Sequence, residues 1–189
     1  FDAYADRAHN LRASEIRALF SVVSRPEVVS LAGGMPNLKD LPLESLAETA
    51  KELILSSGAQ ALQYGSGQGW EPLREQLVNV MTYDGIIGAD PDDVVITTGS
   101  QQALDLMAEL FIDSGDVVLA ESPSYVGALG CFRARQADVI HVDMDDNGII
   151  PEALEETIRR LKSSGRAIKF LYTIPNFHNP AGVTLSLER

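Results

Sequence analysis

The sequence predicts an α/β protein whose mainly parallel sheet is flanked by helices. From residue 92 onward, short apolar segments alternate with segments in which apolar residues recur at helical spacing. Turns that contain glycine or proline separate many of these segments. The chain has 189 residues, 45% of them apolar, which is enough for one large domain with a substantial core. Such alternation is typical of parallel strands joined by helices that cover both faces of the sheet.

The first forty residues predict a helix followed by a short strand. Apolar residues between 13 and 24 recur at helical spacing, which predicts a helix that ends at the following proline. Residues 28–31 predict a short strand, which runs into the turn Gly33-Gly34-Met35-Pro36. We interpret residues 1–40 as an N-terminal helix and arm, and residues 41–189 as the large domain.

The large domain predicts five helices and four strands. Helices are predicted at residues 42–56, 71–81, 100–112, 125–133 and 151–162. Strands are predicted at residues 94–98, 117–120, 139–142 and 168–174. Ligands of such sheets bind beyond the carboxyl ends of the strands. We therefore expect the binding site at the loops near Gly99, Ser122 and Pro175.

The composition argues against several classes of partner. Acidic residues number 27 against 15 basic ones, and the net charge of −12 disfavours binding to nucleic acid. No apolar run approaches the roughly 18–20 residues of a transmembrane helix, so no membrane partner is expected. The single cysteine, Cys131, cannot form an intramolecular disulfide, which fits a reducing compartment. We expect a cytoplasmic protein, since the first residues also lack the pattern of a signal peptide.

Several common catalytic motifs are missing. The glycines at positions 65, 67 and 69 lack the spacing of a dinucleotide fingerprint, and no glycine is followed by lysine as in a P-loop. The histidines are scattered at positions 9, 141 and 178, and none belongs to a metal-binding motif. The sequence therefore supports neither metal catalysis nor serine hydrolysis.

Polar residues follow the first of three predicted strand ends, in the segment Thr97-Thr98-Gly99-Ser100-Gln101. The strand ends at Gly99 and a helix begins at once. Free backbone amides and the positive end of the helix dipole suit a phosphate there, and Ser100 adds a hydroxyl donor. The alternative is that Ser100 simply caps its helix.

Two further strand ends carry similar signals. In the segment Glu121 to Tyr125, the aromatic ring of Tyr125 suits the flat wall of a pocket for a ring, or else packs under a loop. After the last predicted strand, Asn179-Pro180 lies in a loop that contains a second proline, Pro175. Taken alone, this asparagine and proline indicate a turn.

The order and spacing of these segments resemble the fold-type I pyridoxal-phosphate enzymes, specifically the class I and II aminotransferases. Four segments carry the resemblance. They are Gln63-Tyr64 with Gly69 and Pro72-Leu73-Arg74, then Gly99 to Ala103, then Glu121 to Gly127, and finally Asn179-Pro180-Ala181-Gly182. The resemblance runs along essentially the whole chain and implies a pyridoxal-phosphate-dependent transferase fold for the large domain.

The resemblance implies pyridoxal 5'-phosphate as cofactor, and an amino acid and a 2-oxo acid as substrates. Gly99, Ser100 and Gln101 match the phosphate loop of the family. Tyr125 matches its ring-stacking tyrosine. Asn179 matches the asparagine that hydrogen-bonds the phenolic oxygen of the cofactor. Tyr64 matches a tyrosine that reaches the cofactor phosphate of the partner subunit, which implies a homodimer.

The N-terminal part resembles the subgroup that contains 2-aminoadipate and kynurenine aminotransferases and the aminotransferase domains of MocR-type regulators. Residues that match Ser14, Arg17 and Gly33 lie beside the substrate in that subgroup, so residues 1–40 are interpreted as a substrate-side arm. Together with Tyr64 and Asn179, these three residues form the predicted substrate-binding set. One departure is His178, where glutamine is common.

The reactive half of such a site is missing. Transamination needs a lysine that binds the cofactor covalently, an acidic partner for the pyridine nitrogen and usually an arginine for the substrate carboxylate. In the family these residues follow the segment that matches Asn179, and no lysine of this chain matches. We therefore expect no catalytic residue within these residues, no transamination by them alone, and a natural chain that continues past Arg189.

Two alternatives to an aminotransferase remain open. One is the cofactor-binding effector domain of a MocR-type transcription regulator, which signals without turnover. The other is a fold-type I C–S β-lyase, whose early motifs look similar.

Overall fold

A computed structural model of the protein describes residues 3–5, 7–8, 25, 27–29 and 38–189. The chain divides into two compact units. We call residues 13–96 the helical unit, and residues 1–12 together with 97–189 the sheet unit. The predicted helix at 13–24, and the predicted substrate residues Ser14, Arg17 and Gly33, lie outside the described residues. The predicted division at residue 40 stays a prediction.

From residue 38 to residue 96, the helical unit contains two helices and one short 3-10 helix. Helix α1 spans Leu43–Ala61, helix α2 spans Glu71–Tyr83, and the 3-10 helix spans Pro91–Asp93. Proline in the first turn and an acidic residue beside it favour the start of α2, because both suit the free amides of a helix N-terminus.

Arg74 is the buried anchor of the helical unit. Its guanidinium donates to the carbonyl oxygen of Pro91 at 2.6 Å and to the Asp92 carboxylate at 3.2 Å. These bonds tie helix α2 to the 3-10 helix, because a buried guanidinium without partners would be costly. The segment that follows is held by the Ile96 amide, which donates to the carbonyl oxygen of Gln68 at 2.8 Å.

The predicted strand at residues 94–98 is wrong. Residues 94–97 form no strand, although Val94 has an extended backbone with φ −100° and ψ 128°. β-branched residues favour extended backbone, but a strand also needs a neighbour that completes its hydrogen-bond ladder. Within residues 38–189, the Ile96 amide bonds to a loop residue instead.

The sheet unit contains a four-stranded sheet in the order β3-β2-β1-β4. Its strands are β1 Val117–Ser122, β2 Asp138–Asp145, β3 Gly148–Ile149 and β4 Ile168–Tyr172. Its helices are α3 Gly99–Phe111, α4 Val126–Ala134 and α5 Pro151–Ser163. Strand β1 is parallel to β2 and β4, and only the short β3 is antiparallel to its neighbour. This confirms the predicted, mainly parallel α/β architecture.

The core lies on both faces of strand β1. Val118 packs on one face with Ala108 of α3 and Phe132 of α4. Leu119 packs on the opposite face with Leu161 of α5. Successive side chains of a strand point to opposite faces, so this alternation places helices on both sides of the sheet, as predicted. Burying each large apolar side chain contributes about 1.5–3 kcal/mol.

No helix in the described part of the chain is both long enough and apolar enough to span a membrane.

Candidate active site

The carboxyl ends of β1 and β4 lie at the same edge of the sheet, because the two strands are parallel neighbours. Strand β1 ends at Ser122 and is followed by the loop that contains Tyr125. Strand β4 ends at Tyr172 and is followed by the loop that contains Asn179. The fold therefore places two of the predicted site segments at one edge.

Helix α3 begins with a glycine turn. Gly99 has a φ of +74°, a left-handed conformation that glycine adopts without strain. The N-cap of the helix is Thr98, whose amide donates to the side chain of Gln102 at 2.5 Å. Ser100 is thus the second residue inside the helix and not its cap. Its exposed hydroxyl lies in the first turn, whose free amides favour an anion.

Gly127 marks the place where Tyr125 and Gln101 meet. A Cβ atom at position 127 would lie 2.5 Å from Cε1 of the Tyr125 ring and 2.7 Å from Oε1 of Gln101. Only a residue without a side chain leaves room for both groups. The structure therefore brings the first turn of α3 and the predicted ring wall together across one glycine.

Gln101 also connects helix α3 to helix α4. Its Nε2 donates to the Cys131 sulfur at 2.9 Å and to the carbonyl oxygen of Gly127 at 3.4 Å. Burial raises the pKa of the Cys131 thiol, and the nearby Asp105 carboxylate raises it further. The sulfur is therefore a protonated acceptor at neutral pH and not a nucleophile.

Tyr125 is half-buried and packs against the core cluster that contains Phe132. Tyr172, at the end of β4, packs against the same cluster, and its ring centroid lies 5.5 Å from that of Phe132. Burial raises the pKa of the Tyr172 phenol, and Tyr125, Glu121 and Cys131 contribute in the same direction. Tyr125 therefore packs on the core while part of it remains open to solvent, and its role as a ring wall stays a prediction.

Glu121 is the most buried acid at this edge, with a relative exposure of 1%. Its carboxylate accepts a hydrogen bond from the Thr173 hydroxyl at 2.8 Å. It accepts another from the Ile174 amide, also at 2.8 Å. These charge-assisted bonds attach the end of β1 to the segment that follows β4.

His178 occupies the interior of the loop that contains Asn179, with a relative exposure of 2%. Its Nδ1 accepts a bond from the Ala181 amide at 3.3 Å, which leaves the proton of a neutral ring on Nε2. Nε2 lies 3.1 Å from the Glu121 carboxylate, although its N–H is not well aligned for a hydrogen bond. The next residue, Asn179, is exposed.

Tyr64 belongs to the helical unit, so it is described apart from the other predicted residues. Its side chain is fully exposed, and its amide donates to the side chain of Gln63 at 2.8 Å. It lines a cavity of about 440 Å³ together with Leu53 and Trp70.

The two lysines of the sheet unit do not lie at the carboxyl edge of the sheet. Lys169 is near the amino end of β4 and pairs with Asp116 at 3.0 Å. Lys162 lies in the last turn of α5, which precedes the amino end of the same strand. Among the described residues, no group of three or more histidine, cysteine, aspartate or glutamate side chains is placed to hold a metal ion.

The contact between Glu121 and His178 was not predicted from the sequence. Fifty-seven positions separate the two residues in the sequence. Glu121 lies in the motif of Tyr125, and His178 stands where glutamine is common, but neither motif pairs them. The available signal was a glutamate at the end of an otherwise apolar, buried strand. Acidic side chains are almost never fully buried without a partner, so a glutamate at that position predicts a hydrogen-bonding or charged partner.

The fold defines an α/β protein in which two of the predicted site segments follow the carboxyl ends of parallel strands. Comparison with known proteins gives the family. The profile described as aminotransferase class I and II matches residues 26–189. The chain therefore belongs to the class I and II aminotransferase family, which confirms the resemblance.

Known relatives are similar along nearly the whole of this chain. Aromatic-amino-acid aminotransferase 1 of Thermococcus litoralis is 40% identical over 186 residues, which cover 98% of this chain and 45% of that protein. A crystal structure of Pyrococcus horikoshii kynurenine aminotransferase, in complex with PMP, has a TM-score of 0.91 at 39% identity. It covers 99% of this chain and 46% of that one.

A third relative has been solved with a bound adduct. It is the α-aminoadipate aminotransferase of Thermus thermophilus, complexed with N-(5'-phosphopyridoxyl)-L-leucine. Its TM-score is 0.83 at 38% identity, covering 99% of this chain and 44% of that one. The chain spans less than half of the length of the curated relatives it matches.

Proposed function

We propose that the complete protein is a pyridoxal-5'-phosphate-dependent aminotransferase that transfers an amino group between an amino acid and a 2-oxo acid. The observation that carries this proposal is the meeting of the first turn of α3 with Tyr125 across Gly127. Family membership supports the same activity. Substrates of the 2-aminoadipate, kynurenine or aromatic type are supported by the names of the relatives.

The donors present fit the phosphate and the ring of this cofactor. Ser100 and the amides of the first turn of α3, which Gly99 opens, would hold the phosphate. Gln101 would brace that turn against helix α4 through Cys131. Tyr125 would cover one face of the ring, and the exposed amide of Asn179 would donate to its phenolic oxygen. When bound, the cofactor supplies an electron sink for the substrate.

The lysines of the sheet unit do not fit the covalent attachment of the cofactor. Lys169, paired with Asp116, is near the amino end of β4, and Lys162 lies in the last turn of α5, so neither is at the carboxyl edge. We therefore propose that the Schiff-base lysine is supplied by a part of the complete protein beyond these residues. The 189 residues alone are then expected to bind the cofactor weakly and not to transaminate.

Substrate recognition is proposed for Ser14, Arg17 and Gly33, together with Tyr64 and Asn179. Ser14 and Arg17 are three positions apart, so on a helix they would share one face. An arginine there would bind an acidic side chain of the substrate through two parallel hydrogen bonds.

The complete protein is proposed to be a cytoplasmic homodimer, in which Tyr64 reaches the cofactor phosphate of the partner subunit. Full exposure of the Tyr64 side chain supports this role. Sedimentation gives the oligomeric state, and a monomer would contradict the shared site.

The proposed phosphate site is tested by replacing Ser100 with alanine in the complete protein. Loss of one charge-assisted hydrogen bond of about 1.5–3 kcal/mol should weaken cofactor affinity about ten-fold or more. Equilibrium titration with pyridoxal 5'-phosphate measures this change. Ser163→Ala is the matched control, because that exposed hydroxyl donates only to the Arg160 carbonyl oxygen.

Unchanged affinity in the Ser100 variant would contradict the phosphate site. Product analysis separates the two alternatives from the aminotransferase. Pyruvate and ammonia released without an amino acceptor would indicate a lyase, and cofactor binding without turnover would indicate a regulator domain.

A further inference from the structure

We propose that Glu121 and His178 are positioning residues that hold the Asn179 loop at the end of strand β1. This inference rests on the proposed function, because it concerns the loop that presents Asn179 to the cofactor. Neither residue is given a contact with the cofactor or the substrate. Their role is to fix the place from which the Asn179 amide acts.

Both side chains are almost completely buried. Glu121 is 1% exposed and His178 is 2% exposed, whereas Asn179 and Pro180 are exposed. The loop thus has a buried base and an exposed tip. An exposed turn depends on the anchoring of its base, because its tip gains little from packing.

The Glu121 carboxylate accepts hydrogen bonds from the segment that follows strand β4. The Thr173 hydroxyl and the Ile174 amide each donate to it at 2.8 Å. His178 approaches the same carboxylate, with Nε2 at 3.1 Å from Oε2. One side chain of β1 therefore holds both the beginning of the loop and its interior.

The His178 residue is bonded to the turn on its other side. Nδ1 accepts from the Ala181 amide at 3.3 Å, and the His178 carbonyl oxygen accepts from the Gly182 amide at 2.6 Å. The His178 amide donates to the carbonyl oxygen of Val183 at 2.8 Å. The imidazole thus spans from the end of β1 to the turn that follows Asn179.

Truncation of His178 leaves the Glu121 carboxylate with only its bonds from Thr173 and Ile174, and loss of the Glu121 charge leaves the buried imidazole bonded only to the Ala181 amide. A buried carboxylate or imidazole in that state is costly, and the exposed loop can relieve the cost by moving. The core clusters on the two faces of the sheet contain neither residue. The expected consequence is a displaced loop on an otherwise intact sheet.

The experiment uses the complete protein and five variants: Glu121→Gln, His178→Ala, the double variant of these two, His178→Gln and His141→Ala. His141 is the matched control, because its imidazole contacts the same residue at a different atom. Its Nδ1 lies 3.2 Å from the backbone oxygen of Glu121, whereas His178 approaches the carboxylate. Glutamine at position 178 can still donate to Glu121 and accept from Ala181, so this variant should keep most of the anchoring of the loop.

The first measurement is amide hydrogen exchange of the cofactor-free protein. Glu121→Gln and His178→Ala should each speed exchange at Ile174, Ala181 and Gly182 by about ten-fold, the loss expected for one buried charge-assisted contact. Exchange in strand β2 should stay unchanged, which shows that the sheet remains folded. The double variant should resemble the single ones, because the two residues act as a unit.

The second measurement is the affinity for pyridoxal 5'-phosphate and the absorption of the bound cofactor as a function of pH. Weaker binding and a shifted absorption titration in His178→Ala, with recovery in His178→Gln, would support positioning of Asn179. Unchanged exchange at the loop, or an equal effect of His141→Ala, would overturn the proposal.

The proposed function and this inference fail in different ways. If Ser100→Ala and Asn179→Ala leave cofactor affinity unchanged, the proposed function fails, while hydrogen exchange still decides whether the pair holds the loop. If those variants weaken binding and His178→Ala changes neither exchange nor affinity, the positioning role alone is overturned.

Discussion

The helical unit and the sheet unit use their apolar residues differently. Strand β1 buries five of its six residues, whereas helix α1 has no buried residue along its length. Leu46, Leu53 and Ile54 of α1 are each about half exposed, at 54%, 46% and 52%. The sheet unit therefore contains its own core, while α1 presents apolar side chains that remain largely solvated.

The difference teaches that the two units do not draw stability from the same source. Packing on both faces of β1 stabilises the sheet unit internally. Between residues 38 and 96, the helical unit depends more on polar anchors such as the buried Arg74. A helix with an uncovered apolar face gains most of its stability only when something packs on that face.

The largest expected effect is a difference in stability between a substitution in the core of the sheet unit and one on helix α1 of the helical unit. Phe132→Ala should lower the free energy of unfolding of this 189-residue chain by about 3–5 kcal/mol, because it empties the core beside β1. Leu53→Ala should cost less than about 1 kcal/mol, because its side chain is half exposed. Urea unfolding of both variants measures the difference.

Equal losses of unfolding free energy for Phe132→Ala and Leu53→Ala would contradict the difference between the two units. The same two variants give a further test in the complete protein. If a second copy of the chain covers α1 in the proposed dimer, the cost of Leu53→Ala should rise and depend on protein concentration.

The next effect distinguishes two glycines of helix α4. Gly127→Ala places a Cβ atom 2.5 Å from the Tyr125 ring, so the ring must move. We expect a loss of about 1–3 kcal/mol of stability together with weaker cofactor binding in the complete protein. Gly130 has no neighbouring atom within 4 Å of an added Cβ, so Gly130→Ala should stabilise the helix by about 0.5–1 kcal/mol.

Near-ultraviolet circular dichroism of Tyr125 and cofactor titration measure the effect of Gly127→Ala. An unaltered tyrosine signal with wild-type affinity would show that the ring has more room than the structure gives it.

The smallest effect is a pH dependence within the sheet unit. Burial raises the pKa of the Cys131 thiol, so the folded state keeps this proton to higher pH than the unfolded state. The contribution to stability is therefore complete below the ordinary thiol pKa of about 8.5 and declines as the pH rises above it. Unfolding at pH 7 and pH 10 measures the decline, which should be smaller in Cys131→Ala. An identical decline in both proteins would assign it to other groups.

Most of the fold could be predicted because its signals are local. Within residues 38–189, the apolar patterns predicted three of the four observed strands and every helix of eight residues or more. The two-residue strand β3 is too short to leave a periodic signal. Residues 94–98 were predicted as a strand because Val94, Val95 and Ile96 favour extended backbone, yet pairing depends on a neighbour that the local pattern does not reveal.

The candidate site was predictable only where a motif is continuous in sequence. Tyr125 and Asn179 follow the ends of the neighbouring parallel strands β1 and β4, so the topology predicts that their loops lie at one edge. Gly99 to Gln101 follow no strand, and only their motif pointed to them. Their roles toward the cofactor stay predictions. The contact of Glu121 with His178 depends on how two distant loops fold together, and neither residue has a local pattern that identifies the other.

The strand order has a consequence for synthesis of the chain. Strand β1 lies in the middle of the sheet, but both of its neighbours come later in sequence. The ribosome therefore produces β1 before either neighbouring strand. The apolar residues of β1 have no strand to pair with until β2, which begins at residue 138, has been synthesised. Strand β4 is added after helix α5, so the sheet grows outward from its oldest strand. During this interval β1 has no native neighbour, so its unpaired edges are open to wrong pairing.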